Sequence, residues 1–250
     1  LDASFTAPKR LRQDLNVRGP REQESVDLGG LSPDPVPPLI SIGFGLGSGV
    51  LVGLCNGVLV LATGANPFLV TLAVNLLVYS LALSLTESKT LYATIPEFNL
   101  IGRGQLFGFL HYSVIVFLAL AVGLEFVLRR TIPGRTIYVA GLNEVAGRLS
   151  GLRLQITKLS AFVLCSGLAA LTGIIMTSRI NSTIASSGFG MEFDSIIAAV
   201  LGGTSLFGGR GGTLRTIVGV VVLGVINNLL VLLNVPSEAQ QIAKGLVFLA

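Results

Sequence analysis

The sequence is short of charge. Only 12% of its 250 residues are Asp, Glu, Lys or Arg, against roughly 25% in a soluble domain, and that deficit argues against a soluble globular enzyme. There is no Trp, one His and two Cys, so most zinc and disulfide frameworks are excluded by counting. Cys55 and Cys165 fall inside apolar runs, where a thiol behaves as a small hydrophobe. His111 opens an apolar run with no paired Cys, Ser turn or acidic partner near it in sequence. The chain therefore offers no catalytic residue and no metal-ligand set.

What is present is apolar and slightly basic. Hydrophobic residues make up 51%, mean hydropathy is +0.78 and the formal net charge is +4. Residues 1–38 hold eleven of the thirty charged side chains, and twelve of the remaining nineteen are basic. A basic balance in so apolar a chain reads as loops obeying the positive-inside rule, not as a nucleic-acid footprint.

Charge-free runs organise the rest. A helix needs roughly 20 residues to cross a bilayer core of about 30 Å. Residues 39–86 carry no charge, enough for two spans, with Gly64-Ala65-Asn66-Pro67 as the turn between them. Further runs cover 104–124, 159–178 and 216–237, while 195–209 is too short for a confident crossing. These patterns predict an all-α polytopic bundle. Its spans fall near 39–63, 67–86, 106–128, 157–178 and 214–234, with a short or re-entrant segment at 193–208 and a helix cut off at 238–250. Lipid leaves no place for an open strand, so none is expected in 39–250.

Residues 1–38 contain six prolines and scattered charge, a composition that cannot bury a core and reads as disordered. A non-native leader and an ordinary cytoplasmic tail account for it equally. The stretch 129–158 holds six basic residues against Glu144 alone, which marks it as cytoplasmic. The balanced loop 87–103 then lies on the other side.

Five motifs stand out. Gly45, Gly49, Gly53 and Gly57 recur every fourth residue, a stripe that lets a neighbouring helix approach closely; plain packing explains it more simply than function. Thr71, Asn75 and Tyr79 share one face of the second span, and Asn227 and Asn228 sit mid-way along a later one. Uncharged amides and hydroxyls in hydrocarbon either bond a neighbouring helix or line a polar pathway for a hydroxyl-rich solute. The glycines around Gly203 and Gly208 have phosphate-loop spacing but are followed by Gly209 and Arg210, where that loop needs Lys and then Ser or Thr. No ATP site is expected. Finally, Asn143 caps a short loop helix on which Val145, Leu149 and Leu152 form an apolar face. Glu144 and Arg148 are placed to brace it. That face needs a partner or a lipid surface.

The segment Gly141-Leu142-Asn143-Glu144-Val145-Ala146-Gly147-Arg148-Leu149-Ser150-Gly151 closely resembles the coupling loop of the ribose-type permeases of bacterial ATP-binding-cassette importers. The similarity continues through residues 190–209 and through Asn227-Asn228-Leu229-Leu230, and spans roughly residues 39–250. Gly147 and the lack of a following Leu-Pro separate this loop from the Glu-Ala-Ala loop of other importers.

The resemblance implies a multi-pass inner-membrane subunit that pairs with a second copy and binds no cofactor itself. ATP would act through a partner ATPase docked on Glu144, Val145, Arg148, Leu149, Gly151 and Leu152. An extracytoplasmic binding protein would deliver a monosaccharide-like solute to a path lined by Thr71, Asn75, Tyr79, Asn227 and Asn228. Members of that family begin with helices before the position of Leu39 and complete a last helix after that of Ala250, so the chain reads as incomplete at both ends. The competing readings are a secondary transporter or channel, for which the spans offer only Glu125 as an ionisable group, and an inactive membrane fragment.

Overall fold

A computed structural model describes residues 38–92, 98, 102, 104–106, 110–206 and 208–249. The chain divides into the units Leu1–Pro37 and Pro38–Ala250, and the second alone is treated below. The expectation of disorder before residue 38 lies outside the described residues.

Helix α1 (Pro38–Thr63) runs without a charge to Gly64, whose φ of +62° makes the turn. Asn66 starts α2 (Pro67–Thr86): its Oδ1 accepts from the Phe68 N–H at 3.0 Å, and Pro67 supplies a preset φ. Strands β1 (Leu91–Tyr92), β2 (Gln105–Leu106) and β3 (Leu110–His111) lead to α3 (Tyr112–Arg130). Thr131 ends α3 and caps α4 (Ile132–Leu142), and Asn143 then caps α5 (Glu144–Leu149). Helix α6 (Leu154–Ile180) is followed by β4 (Ser182–Thr183), a 3-10 turn (Ala185–Gly188) and α7 (Met191–Leu201). Two more helices follow, α8 (Thr213–Leu232) and α9 (Ser237–Leu249).

Among the described residues, five helices (α1, α2, α3, α6 and α8) are long and apolar enough to cross a membrane. At about 1.5 Å per residue, the 11 residues of α7 reach about half-way, as a short segment should. The boundaries shift from expectation at three places. α3 begins at Tyr112 and not near 106, α6 runs from Leu154 to Ile180, and α7 ends at Leu201, where Gly202 and Gly203 stop it.

Strand is not wholly absent. β1 pairs with β4 and β2 with β3, each antiparallel and two residues long. All four lie in connections between apolar helices, where backbone without helical partners pairs across the gap. The all-α class is unaffected.

Few side chains are buried. Ile197, Ala198 and Leu223 form a small core between α7 and α8, whereas Leu77 and Leu85 are 70% and 76% exposed on α2. In water such a surface would drive association; against lipid tails it carries no such penalty. Packing relies on close backbones. The stripe Gly45, Gly49, Gly53 and Gly57 faces α6, and a Cβ at Gly53 would stand 2.9 Å from Phe162 O and Val163 Cα. At the far end of α6, Ser178 is fully buried. Its hydroxyl donates to Phe98 O at 2.5 Å and accepts from the Gly102 N–H at 2.8 Å.

Candidate functional site

The basic loop folds as two helices where the sequence suggested one. α4 was missed because Pro133, Gly134 and Gly141 are poor helix formers, although Thr131 followed by Pro133 is a start signal. The turn 202–212 rests on α4: Tyr138 Oη donates to Gly211 O at 3.1 Å, and a Cβ at Gly141 would meet Gly209 N at 2.5 Å. Arg210 lies in this turn and Arg215 at the start of α8, and the contacts with α4 put the turn on the same side as the basic loop.

α5 is short and polar at its ends. The Ala146 N–H donates to Asn143 Oδ1 at 3.0 Å. Arg148 Nη2 donates to Glu144 Oε1 at 2.6 Å, and Lys158 Nζ on α6 donates to Glu144 Oε2 at 2.8 Å. The Lys158 ammonium, and after it the Arg148 guanidinium, hold the Glu144 carboxyl below the usual carboxylate range. Gly147 is buried: a Cβ there would meet Leu154 Cδ1 at 3.2 Å and Val139 Cγ1 at 3.5 Å. On the opposite side Val145 and Leu149 are 67% and 85% exposed.

Leu152 departs from its expected place on that face. The helix ends at Leu149, and Gly151 takes a φ of +77°. Leu152 then lies half-buried in the link to α6, its N–H donating to Gly147 O at 3.2 Å. The exposed apolar pair on α5 is Val145 and Leu149. Beside it a cleft of about 460 Å³ separates Glu144, Arg148 and Lys158 from the α1–α2 turn.

The five pathway candidates do not converge. The Thr71 hydroxyl donates to Pro67 O and Phe68 O of its own helix. Asn75 and Tyr79 border a cleft of about 210 Å³ with Phe189 and Glu192, and the Tyr79 and Phe189 rings stand 5.8 Å apart. Asn228 is exposed on α8. Asn227 is half-buried, with an Oδ1 that has no hydrogen-bond partner among the described residues. α8 packs on α7 and α3, whereas α2 packs on α1 and the 3-10 turn.

Two charged contacts went unforeseen. Glu125, buried on α3, accepts from the Thr213 and Leu214 N–H groups at 2.8 and 3.4 Å and pairs with Arg129. It thus caps α8, whose own Gly212 offers no side chain. Asp194 on α7 accepts from Lys244 on α9 at 2.8 and 2.9 Å. That pair borders an apolar cleft of about 810 Å³ containing Phe68, Phe193 and Ile197. Asp194 shares α7 with Glu192, and Lys244 shares α9 with Glu238, so the sequence did not single out this pair.

The family described as "Branched-chain amino acid transport system / permease component" matches residues 15–250. The ribose import permease protein RbsC of Bacillus subtilis (strain 168) is 36% identical, over 94% of this chain and 74% of that protein. Its namesake in Escherichia coli (strain K12) is 37% identical, over 86% and 68%. The D-allose transport system permease protein AlsC of the same strain is 32% identical, over 81% and 63%. No solved structure matches the chain.

Proposed function

This chain belongs to the permease-component family of ATP-binding-cassette importers, and from that premise we propose that it forms the translocation path for a monosaccharide-like solute and is driven by a separate ATPase docked on α5. It is a multi-pass inner-membrane transport subunit, not an enzyme. Relatives named for ribose and D-allose support the solute class. An extracytoplasmic binding protein delivers the solute, and a second copy of the chain completes the path. The uncharged groups of Asn75, Tyr79 and Asn227 are the kind that exchange hydrogen bonds with hydroxyls without holding a charge in hydrocarbon.

The observation that carries the proposal is α5 itself. Its inner side is seated by Gly147 and Glu144, while Val145 and Leu149 point away, 67% and 85% exposed. Burying that pair in a partner groove gains about 25 cal/mol per Å² of apolar area, less the cost of association. The rival secondary-transport reading draws on Glu125, and that carboxylate is already engaged by Thr213, Leu214 and Arg129.

The test is Leu149→Asp in the complete transporter, which places an unpaired charge in the contact and leaves the spans untouched. The permease should still insert and dimerise, while ATPase co-purification and solute uptake fall together. Unchanged ATPase association and solute-stimulated hydrolysis would reject the docking assignment and leave α5 as a helix lying on lipid.

A further inference from the structure

Besides the Leu152 N–H to Gly147 O bond of the short link between them, two contacts of different kind hold α5 against α6. The first is apolar, between Gly147 and Leu154. It is non-directional and does not by itself hold one helix to a single position along the other. The second is the charge-assisted bond from Lys158 Nζ to Glu144 Oε2 at 2.8 Å, which sets the separation of the two charged groups across the α5–α6 contact. Both partners are 37% exposed, so the pair is too wet to stabilise the fold much. Its placement is more telling. Lys158 adjoins Leu159, and a Cβ at Gly57 would stand 2.5 Å from Leu159 Cδ1. The ion pair therefore enters α6 at the end of the glycine stripe by which α1 packs on it. Arg148, the other partner of Glu144, lies on α5 and cannot join two elements. The cleft of about 460 Å³ beside the pair leaves α5 open space towards the α1–α2 turn.

We infer that Lys158 is a positioning residue for energy coupling: through Glu144 it ties α5 to the base of the α1–α6 pair, so that a displacement of α5 moves both spans together. This rests on the proposed docking of an ATPase on α5. Without the tie, a bound ATPase would still hydrolyse ATP and shift α5, but α5 would slide on Leu154 and the spans would lag behind it.

The experiment uses the complete transporter, with its ATPase and binding protein, in proteoliposomes. ATPase association, solute-stimulated hydrolysis and uptake are measured on the same preparations. Lys158→Met should keep the ATPase bound and hydrolysing, while solute moved per ATP falls at least about fivefold, the lower end of ordinary coupling effects. Lys158→Arg, which retains charge and reach, should restore most of that ratio. An unchanged ratio in Lys158→Met, or an equal loss in Lys158→Arg, overturns the assignment. The two proposals fail separately. If Leu149→Asp leaves the ATPase bound, the docking reading falls. If Leu149→Asp releases it and Lys158→Met keeps full coupling, only the tie is wrong.

Discussion

Single carboxylates decide how the polar ends of these helices meet. Glu125 satisfies two N–H groups that α8 cannot satisfy itself, 88 and 89 residues away in sequence, and places negative charge at the positive end of that helix. Replacing Glu125 with Ala should cost about 1–3 kcal/mol through the orphaned donors. Glu125→Gln, whose amide oxygen still accepts, should cost less. Thermal unfolding midpoints in detergent would rank the two, and equal midpoints would deny Glu125 the capping role. Glu144 has a pH consequence. Its folded carboxyl titrates below the usual range, so its contribution is complete above that range and is lost as pH falls through the lowered value. Amide exchange in residues 144–149 should therefore be flat around neutrality and rise only in acid, once intrinsic exchange rates are divided out. In Glu144→Gln that acid-dependent rise should disappear.

At the scale of elements, packing depends on how near two backbones come. Gly53→Leu would drive a side chain into Phe162 O and Val163 Cα on α6, and overpacking of this kind costs about 1–3 kcal/mol or more. Gly47, on the same helix, has nothing within 4 Å of a Cβ. Gly47→Leu should be tolerated or mildly stabilising, since Gly is the poorer helix former by up to about 1 kcal/mol. Comparing monodisperse yield and thermal midpoint for the two variants checks the α1–α6 interface. The pair joining α7 to α9 behaves differently. Lys244→Met leaves the part-exposed Asp194 carboxylate without its partner at the edge of an apolar cleft, whereas Lys244→Met with Asp194→Leu leaves no unpaired charge from this pair. The single variant should therefore be the less stable of the two. A double variant as unstable as the single one would give the pair no special part in seating α7.

For the molecule as a whole, sidedness follows from charge. The loop 129–158 and the turn 202–212 meet through Tyr138 and Gly211, and by the positive-inside rule we propose that the basic residues they contribute face the cytoplasm. With Cys55 and Cys165 replaced, a cysteine at Arg135 should resist an impermeant maleimide in intact cells and react in inside-out vesicles. One at Ser88, beyond the other end of α2, should do the reverse. Efficient labelling of the Arg135 position from outside would invert the topology.

Much of this was legible because a bilayer makes a severe demand on sequence. A span must be about 20 residues long and nearly free of charge, so α1, α2, α6 and α8 could be found by locating charged residues alone, and the glycine stripe by counting fours. The short helix after Asn143 was legible from its cap, but its end was not. Ser150 and Gly151 stop it before Leu152, and that break depends on a single φ of +77° at Gly151. α4 was hidden because local propensity opposed it and contacts with the turn 202–212 favoured it. The tertiary structure alone decided which charges meet. Lys158 lies 14 residues from Glu144, Lys244 lies 50 from Asp194, and Thr213 lies 88 from Glu125. No local period encodes those separations, since each partner is chosen by where two helices cross. The same holds for the polar candidates: a face on one helix says what points inward, and only the packing of α2 and α8 against different neighbours shows that their polar residues stand apart.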